Sequence, residues 1–160
     1  MTMSFFFNSG SEQATELFGA ALASVLPPGT VVALCGTLGA GKTRLVQAIA
    51  AAYGVPREEV VSPTFVLCHE YHGDRMIYHL DAYRLKDQDE PRELGLEELF
   101  ASDAITIIEW ADRIPDALPP EHLRIDIEVT GETERRFVVQ SVGTQLHSVV
   151  TSLETAILDH

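Results

Sequence analysis

The sequence GTLGAGKT, residues 36–43, directly follows the apolar run VVALC at residues 31–35 and decides the fold class. The run is short, apolar and rich in β-branched residues, which is typical of a strand covered on both faces of a sheet. Apolar side chains at helical spacing follow over residues 43–53, so a glycine-rich loop joins a strand to a helix. The loop satisfies G-x-x-x-x-G-K-[ST], and in this context the pattern indicates a phosphate-binding loop.

The residue types of this loop suit a nucleotide with its metal ion. Glycines permit conformations in which successive backbone N–H groups point at an anion, and the helix that follows turns its positive end toward the same anion. We expect Lys42 to place its ammonium between the β- and γ-phosphates, and Thr43 to offer its hydroxyl to Mg²⁺. The predicted nucleotide contacts are Leu38, Gly39, Ala40, Gly41, Lys42 and Thr43.

Two acidic residues are candidates for the metal and for the attacking water. A phosphate-binding loop needs an acid, normally at the carboxyl end of a neighbouring buried strand. Asp81 ends the run MIYHLD and Glu109 ends the run ITIIE. Because the carboxyl ends of parallel strands converge, both acids are expected to approach Thr43. One would hold Mg²⁺ and the other would orient or deprotonate water, and the pattern leaves open which acid has which role.

The pattern of elements predicts a single domain over residues 1–160 with an α/β, P-loop NTPase-like three-layer fold. Its central mixed sheet is expected to have a parallel core flanked by antiparallel strands. Alternating or continuous apolar runs predict the strands, and apolar spacing of three and four predicts the helices. The predicted strands are 30–35, 105–108, 123–129 and 136–142, with a hairpin within 60–80, and the predicted helices are 11–26, 43–53, 94–100 and 146–157.

Charge and hydropathy restrict the partners and the compartment. With 24 acids against 11 bases the formal net charge is -13, so the surface repels a phosphate backbone and any contact with nucleic acid is expected to be indirect. No apolar run approaches the roughly 20 residues needed to cross a bilayer. The start MTMSFFFNSG lacks the basic region and cleavage site of a signal peptide. We therefore expect a cytoplasmic protein with no membrane contact.

Several classes of nucleotide-binding protein fit this sequence poorly. A guanine-specific GTPase needs an Asn-Lys-x-Asp base reader, but Asn8 is the only asparagine of the chain. The large ATPase machines carry further subdomains for which 160 residues leave no room. The arginines are scattered, which argues weakly against a small-molecule kinase with an arginine-rich lid. A small-molecule or protein kinase, and a regulatory module that senses ATP without hydrolysing it, stay open as alternatives.

Four further motifs follow the loop in order, namely SPTF at 62–65, HLDAYRL at 79–85, ELGLEELF at 93–100 and IEW at 108–110. Together with GTLGAGKT they resemble the TsaE (YjeE) family, the small ATPase of bacterial tRNA threonylcarbamoyladenosine biosynthesis. The resemblance implies a cytoplasmic protein that binds ATP and Mg²⁺ and acts with the TsaD-TsaB heterodimer. That complex modifies adenosine 37 of tRNAs reading codons that start with A, and ATP hydrolysis would support its repeated turnover.

The resemblance also implies roles for individual residues. Thr43 and Glu109 would bind Mg²⁺. The catalytic residues would be Lys42, Asp81 and Glu109, with Asp81 as a catalytic acid. Trp110 would lie next to the nucleotide.

The resemblance places two further residues near the nucleotide. Glu12, in the segment SEQAT, would lie near the base or ribose, and Arg136, at the start of a late strand, would also face the nucleotide. The roles of Thr64, Tyr83 and Arg84 stay open. A hairpin is expected to separate His69, His72 and His79, which favours surface or pairing roles over a metal site.

Overall fold

The computed structural model describes residues 3–37, 39–61, 68–83 and 95–159. These residues form a seven-stranded mixed sheet with helical segments packed on both faces. None of the helices in these ranges is long and apolar enough to cross a membrane. The predictions for Leu38, Thr64 and Arg84 fall outside the described residues.

With the exception of the first strand, the helices and strands lie close to their predicted positions. The strands are β1 (Met3–Ser9), β2 (Val31–Gly36), β3 (Cys68–His72), β4 (Met76–Asp81), β5 (Ile105–Glu109), β6 (His122–Val129) and β7 (Arg135–Val142). The helices are α1 (Glu12–Val25), α2 (Lys42–Ala52), α3 (Leu96–Phe100) and α4 (His147–Leu158). Short 3-10 turns lie at Arg57–Glu59, Ala111–Arg113 and Pro115–Ala117.

The sheet has the order β1-β7-β6-β2-β5-β4-β3. Strands β6, β2, β5 and β4 run parallel to one another, β3 pairs antiparallel with β4, and β7 and β1 form an antiparallel pair at the opposite edge. The predicted fold class, a parallel core flanked by antiparallel strands, is confirmed. The carboxyl ends of β2, β4 and β5 therefore meet at one edge of the sheet, where the glycine loop begins.

Strand β2 is the centre of the hydrophobic core because its side chains are buried on both faces. Val32 and Leu34 join the large apolar cluster that contains the buried faces of α1, α2 and α4. Val31, Ala33 and Cys35 join a second cluster, which α3 and the turn at 111–113 cover. The continuous apolar run in the sequence reflects this two-sided burial.

Strand β1 is absent from the sequence-based prediction, which considered its phenylalanines only as part of a possible signal peptide. It pairs with β7, and its Met3 lies opposite Ser141. Phe7 stacks on Phe18 of α1 at a centroid distance of 5.3 Å, and Phe18 stacks on Phe137 of β7 at 4.6 Å. The strand is stabilised by contacts with residues far along the chain, so local periodicity gives little sign of it.

Helices α1 and α2 cross at Gly19, where there is no room for a side chain. A Cβ built at Gly19 would lie 2.4 Å from the Cβ of Ala48. We expect Gly19→Ala to lower the free energy of unfolding by about 1–2 kcal/mol, because the cost of overpacking exceeds the gain in helix propensity. Urea denaturation measures the change.

The control for this substitution is Gly10→Ala, since no heavy atom lies within 4 Å of a Cβ built at Gly10. Adding Ala48→Gly to Gly19→Ala should recover part of the loss by returning space to the crossing. Equal stability of Gly19→Ala and the parent protein would show that the two helices separate without cost.

Candidate functional site

The glycine loop connects β2 to α2 in a conformation that two of its glycines make possible. Gly41 has φ 104° and is the N-cap of α2, which no side chain caps. A Cβ at Gly36 would lie 2.9 Å from the carbonyl oxygen of Ile127. Larger residues at these positions would strain or displace the loop, and the uncapped helix leaves first-turn amides available to an anion.

Lys42 is buried at the mouth of this loop, with 5% of its surface exposed. Its Nζ donates hydrogen bonds to the carbonyl oxygens of Gly36 at 2.8 Å and Thr37 at 2.9 Å. The ammonium also lies 3.7 Å from the ring centroid of Trp110. Burial lowers the pKa of Lys42, while the nearby carboxylates, of which Glu109 has the largest effect, act to raise it.

Thr43 and Glu109 are in direct contact across the gap between α2 and β5. The Oγ1 atom of Thr43 lies 3.0 Å from both carboxylate oxygens of Glu109. Glu109 is 3% exposed. The structure thus brings together the hydroxyl and the carboxylate that were predicted to share a metal ion.

Asp81 lies beside Glu109, since the two residues are partners in the parallel register of β4 and β5. It is buried, and its Oδ1 accepts a hydrogen bond from the backbone N–H of Tyr83 at 2.8 Å. Both acids therefore stand at the carboxyl ends of neighbouring strands, as the sequence pattern predicts. Their local partners differ, because Glu109 contacts the loop helix and Asp81 contacts the segment that follows its own strand.

Trp110 is the only non-glycine residue with a positive φ, 58°, within the described ranges. Such a conformation costs on the order of 1–3 kcal/mol and is common at functional sites. The Nζ atom of Lys42 lies over the indole, and the ring of Tyr83 packs against the indole at a centroid distance of 5.0 Å. The guanidinium of Arg113 lies 4.3 Å from the Tyr83 ring. Trp110 thus contacts the lysine expected to bind phosphate.

A cleft of about 220 Å³ opens beside the loop. The start of α1, the glycine loop and the turn before β7 contribute its walls, with Glu12, Thr15, Gly39, Ala40, Gly41, Arg44, Glu132, Thr133, Arg135 and Phe137. Glu12 forms an exposed ion pair with Arg44 at 3.1 Å. The predicted nucleotide contacts Glu12, Gly39, Ala40 and Gly41 therefore share one cleft.

Arg136 is not among the residues that line this cleft, and its contact with a bound nucleotide stays a prediction. Its guanidinium lies 4.3 Å from the ring of Phe6, while the preceding residue, Arg135, lines the cleft and donates from Nε to the carbonyl oxygen of Ala40 at 2.9 Å. Successive side chains of a strand point to opposite faces, so a shift of one residue exchanges the two arginines.

Sequence reasoning missed two buried residues next to Glu109, His79 and Tyr71, which we call the buried pair. His79 is fully buried, and its Nε2 lies 2.5 Å from Glu109 Oε2, while its Nδ1 lies 2.9 Å from the hydroxyl of Tyr71. Burial raises the pKa of Tyr71 to about 12, so the hydroxyl keeps its proton at neutral pH. One signal was present in the sequence, because His79 precedes Asp81 by two positions and therefore shares its strand face.

The donor set at this site is small. Within the described ranges, no group of three or more His, Cys, Asp and Glu side chains is arranged to hold a metal ion. Thr43 and Glu109 instead offer one hydroxyl and one carboxylate. This set suits Mg²⁺, which usually keeps several waters and takes one or two protein ligands together with substrate phosphates.

Comparison with known proteins places the chain within a family. Residues 9–137 match the family profile described as threonylcarbamoyl adenosine biosynthesis protein TsaE. The chain belongs to the TsaE family. The resemblance drawn from GTLGAGKT and the motifs that follow it is thereby confirmed.

Family relatives match over most of their length. The protein of Bacillus subtilis (strain 168) is 37% identical over 142 residues, which cover 88% of each chain. The protein of Treponema pallidum (strain Nichols) is 36% identical over 131 residues, 82% of this chain and 96% of the relative. Both are named tRNA threonylcarbamoyladenosine biosynthesis protein TsaE.

The fold also matches a solved structure. The crystal structure of YdiB from Bacillus subtilis aligns with a TM-score of 0.82 and 28% sequence identity. The alignment covers 100% of this chain and 99% of YdiB.

Proposed function

We propose that this protein is the cytoplasmic ATP-binding and ATP-hydrolysing subunit required for threonylcarbamoylation of adenosine 37 in tRNAs that read codons starting with A. In this proposal it acts with the TsaD-TsaB heterodimer and contacts tRNA only indirectly. The observation that carries the proposal is the contact of Thr43 with Glu109, because it joins the phosphate loop to an acid on the neighbouring strand. The names of the family relatives support the pathway.

The spacing of these oxygens fits Mg²⁺. Two neighbouring ligands in octahedral coordination, each about 2.1 Å from Mg²⁺, lie about 3.0 Å apart. Thr43 Oγ1 lies 3.0 Å from each carboxylate oxygen of Glu109. Thr43 and Glu109 would hold the ion, which would supply positive charge to offset the negative charge that develops during phosphoryl transfer.

The other residues of the site bind and orient the nucleotide. The amides at the start of α2 bind phosphate oxygens, and Lys42 stabilises negative charge on the γ-phosphate as the bond to the β-phosphate breaks. Asp81 takes the role of orienting or deprotonating the attacking water. The contact of Glu109 with Thr43 supports this division between the two acids, because it places Glu109 beside the loop hydroxyl that is expected to bind the metal.

We expect slow hydrolysis by the isolated protein. The two arginines that line the cleft have other partners, Arg44 in an ion pair with Glu12 and Arg135 in a hydrogen bond to the carbonyl oxygen of Ala40. A charge supplied by a partner is a common way to complete such a site. Addition of TsaD-TsaB should therefore raise ATP turnover, and unchanged turnover would count against a partner-dependent site.

Depletion of this protein in cells, followed by nucleoside analysis of tRNA, tests the proposal. Loss of threonylcarbamoyladenosine is the expected result, and its persistence where no redundant copy exists would overturn the pathway. Two biochemical arms address the alternatives. Labelled γ-phosphate appearing on an acceptor instead of as free phosphate would favour a kinase. Continued tRNA modification by an Asp81→Asn protein that binds ATP but cannot hydrolyse it would favour an ATP-sensing module.

The two neighbouring arginines of β7 provide a matched pair of variants. Arg135→Ala is expected to weaken ADP binding about tenfold, because it removes a charged hydrogen bond to the loop carbonyl of Ala40. Arg136→Ala should change ADP affinity by no more than about twofold, as expected for a residue away from the cleft. Calorimetric titration measures both, and a larger effect at Arg136 would favour the sequence-based assignment.

A further inference from the structure

Glu109 is held from two sides. Thr43 contacts the carboxylate from the loop helix, and His79 contacts Oε2 from strand β4. His79 has no exposed surface, so its ring cannot reach the nucleotide cleft or solvent directly. Burying an imidazole ring costs little stability only if both of its nitrogen atoms have hydrogen-bond partners. Both nitrogen atoms of His79 have such a partner.

The chemistry of the partners fixes the direction of the hydrogen bonds. A carboxylate accepts only, so the Nε2–H of His79 donates to Glu109. In a neutral imidazole the other nitrogen then accepts, and the hydroxyl of Tyr71 donates to Nδ1 at 2.9 Å. The hydroxyl lies 3.5 Å from the carbonyl oxygen of Val61, which makes that contact the weaker of its two. Glu109 therefore selects the tautomer that carries Nε2–H, and the Tyr71 hydroxyl is the partner of the other ring nitrogen.

The strand register keeps this arrangement rigid. His79 and Asp81 lie on the same face of β4, and Asp81 is the register partner of Glu109 on β5. The imidazole therefore reaches from the middle of one strand to the end of the next. Without it, the carboxylate would keep its contact with Thr43 but would lose the group that fixes its rotation, and partners of this kind tune the affinity of a metal site.

We propose that His79 is a positioning residue that orients the carboxylate of Glu109 toward the Mg²⁺ of bound nucleotide, with Tyr71 fixing the imidazole. This inference rests on the proposed function, because it needs a metal-bound nucleotide at Thr43 and Glu109. It assigns a function to the buried pair behind the site and explains why a histidine, and not an apolar residue, occupies the core at this position.

The test compares metal binding with metal-free nucleotide binding. The variants are His79→Leu, His79→Gln and Tyr71→Phe, and the control is His122→Leu, which removes another buried histidine whose Nδ1 bonds to Pro119 O. ADP affinity in EDTA is measured by calorimetry. Mn²⁺ affinity of the ADP complex is measured by the electron paramagnetic resonance signal of free Mn²⁺, and thermal unfolding monitors the fold of each variant.

His79→Leu is expected to weaken Mn²⁺ binding about 10–100-fold and to leave the ADP affinity in EDTA within about threefold of the parent. His79→Gln places an amide N–H near the former Nε2 and should return Mn²⁺ affinity to within about threefold of the parent. Tyr71→Phe should weaken Mn²⁺ binding by several-fold, and His122→Leu should leave it unchanged. A merely structural role would reduce ADP binding equally with and without metal.

The other possible results would each overturn the proposed role of His79. Parent-like Mn²⁺ affinity in His79→Leu would overturn it while leaving the proposed function intact. If His79→Leu does not fold, unchanged Mn²⁺ affinity in Tyr71→Phe would overturn it instead. If the parent protein binds ADP with no dependence on metal, the proposed function and this inference fail together.

Discussion

Replacing Lys42 with alanine is expected to lower ATP turnover by about 10²–10³-fold, because the variant loses the ammonium that stabilises developing charge on the phosphates. The structure predicts a second effect. The carbonyl oxygens of Gly36 and Thr37 accept hydrogen bonds from Nζ, and the ring of Trp110 lies against it. Alanine would remove these contacts, so the loop should also lose order. Single-turnover hydrolysis separates the effect on chemistry from that on ATP binding.

A control with the same change of charge is Lys86→Ala, because Lys42 and Lys86 are the only lysines of the chain. Lys42→Met keeps most of the apolar stem and tests whether packing against Trp110 alone preserves the loop. Hydrolysis at the parent rate by Lys42→Ala would remove the central element of the proposed mechanism. Loss of activity in Lys86→Ala of the same size would show that net charge, and not the loop lysine, decides the rate.

Glu109→Gln is expected to lower Mg²⁺-dependent turnover by about 100-fold. Glutamine has nearly the same shape and can still contact Thr43 and His79, so the fold should survive. ADP affinity in EDTA should stay equal or rise, because the substitution removes a buried negative charge that in the proposed complex would lie close to the phosphates. In Mg²⁺ the affinity should fall. ADP affinity that falls in Mg²⁺ but does not fall in EDTA distinguishes loss of a metal ligand from general damage to the fold.

The matched control is Glu128→Gln, since Glu128 is an exposed residue of β6 that does not line the cleft. It changes the net charge by the same amount, and both affinities should stay at the parent values. If Glu109→Gln kept full Mg²⁺-dependent turnover, the metal ligand would have to be assigned to another residue. Asp81 would then be the first candidate, because it is the register partner of Glu109.

Much of the fold was predictable from the sequence because local physics and tertiary structure agree around the glycine loop. The apolar run of β2, the loop glycines and the helical spacing of α2 each have a local cause, and together they position Lys42 and Thr43. Asp81 and Glu109 followed from the same logic, since acids that end buried strands converge at one sheet edge. The antiparallel strands at 123–129 and 136–142 showed the alternation of half-exposed strands.

The missed features depend on contacts between residues distant in sequence. Strand β1 is stabilised by pairing with β7 and by the stacking of Phe7 on Phe18, and neither is visible in a window of ten residues. The choice between Arg135 and Arg136 depends on strand register, where a single position reverses the face. His79 looked like one of three scattered histidines, and only the neighbouring strand reveals its partner, Glu109.

The contacts of Lys42 have a consequence for the stability of the loop itself. A buried cation without counterparts would destabilise the fold, since isolated charges away from water are costly. Here two carbonyl oxygens of the loop and the face of an indole solvate the ammonium. The chain therefore supplies the partners of its own buried charge, and the loop does not depend on an external anion to keep its conformation.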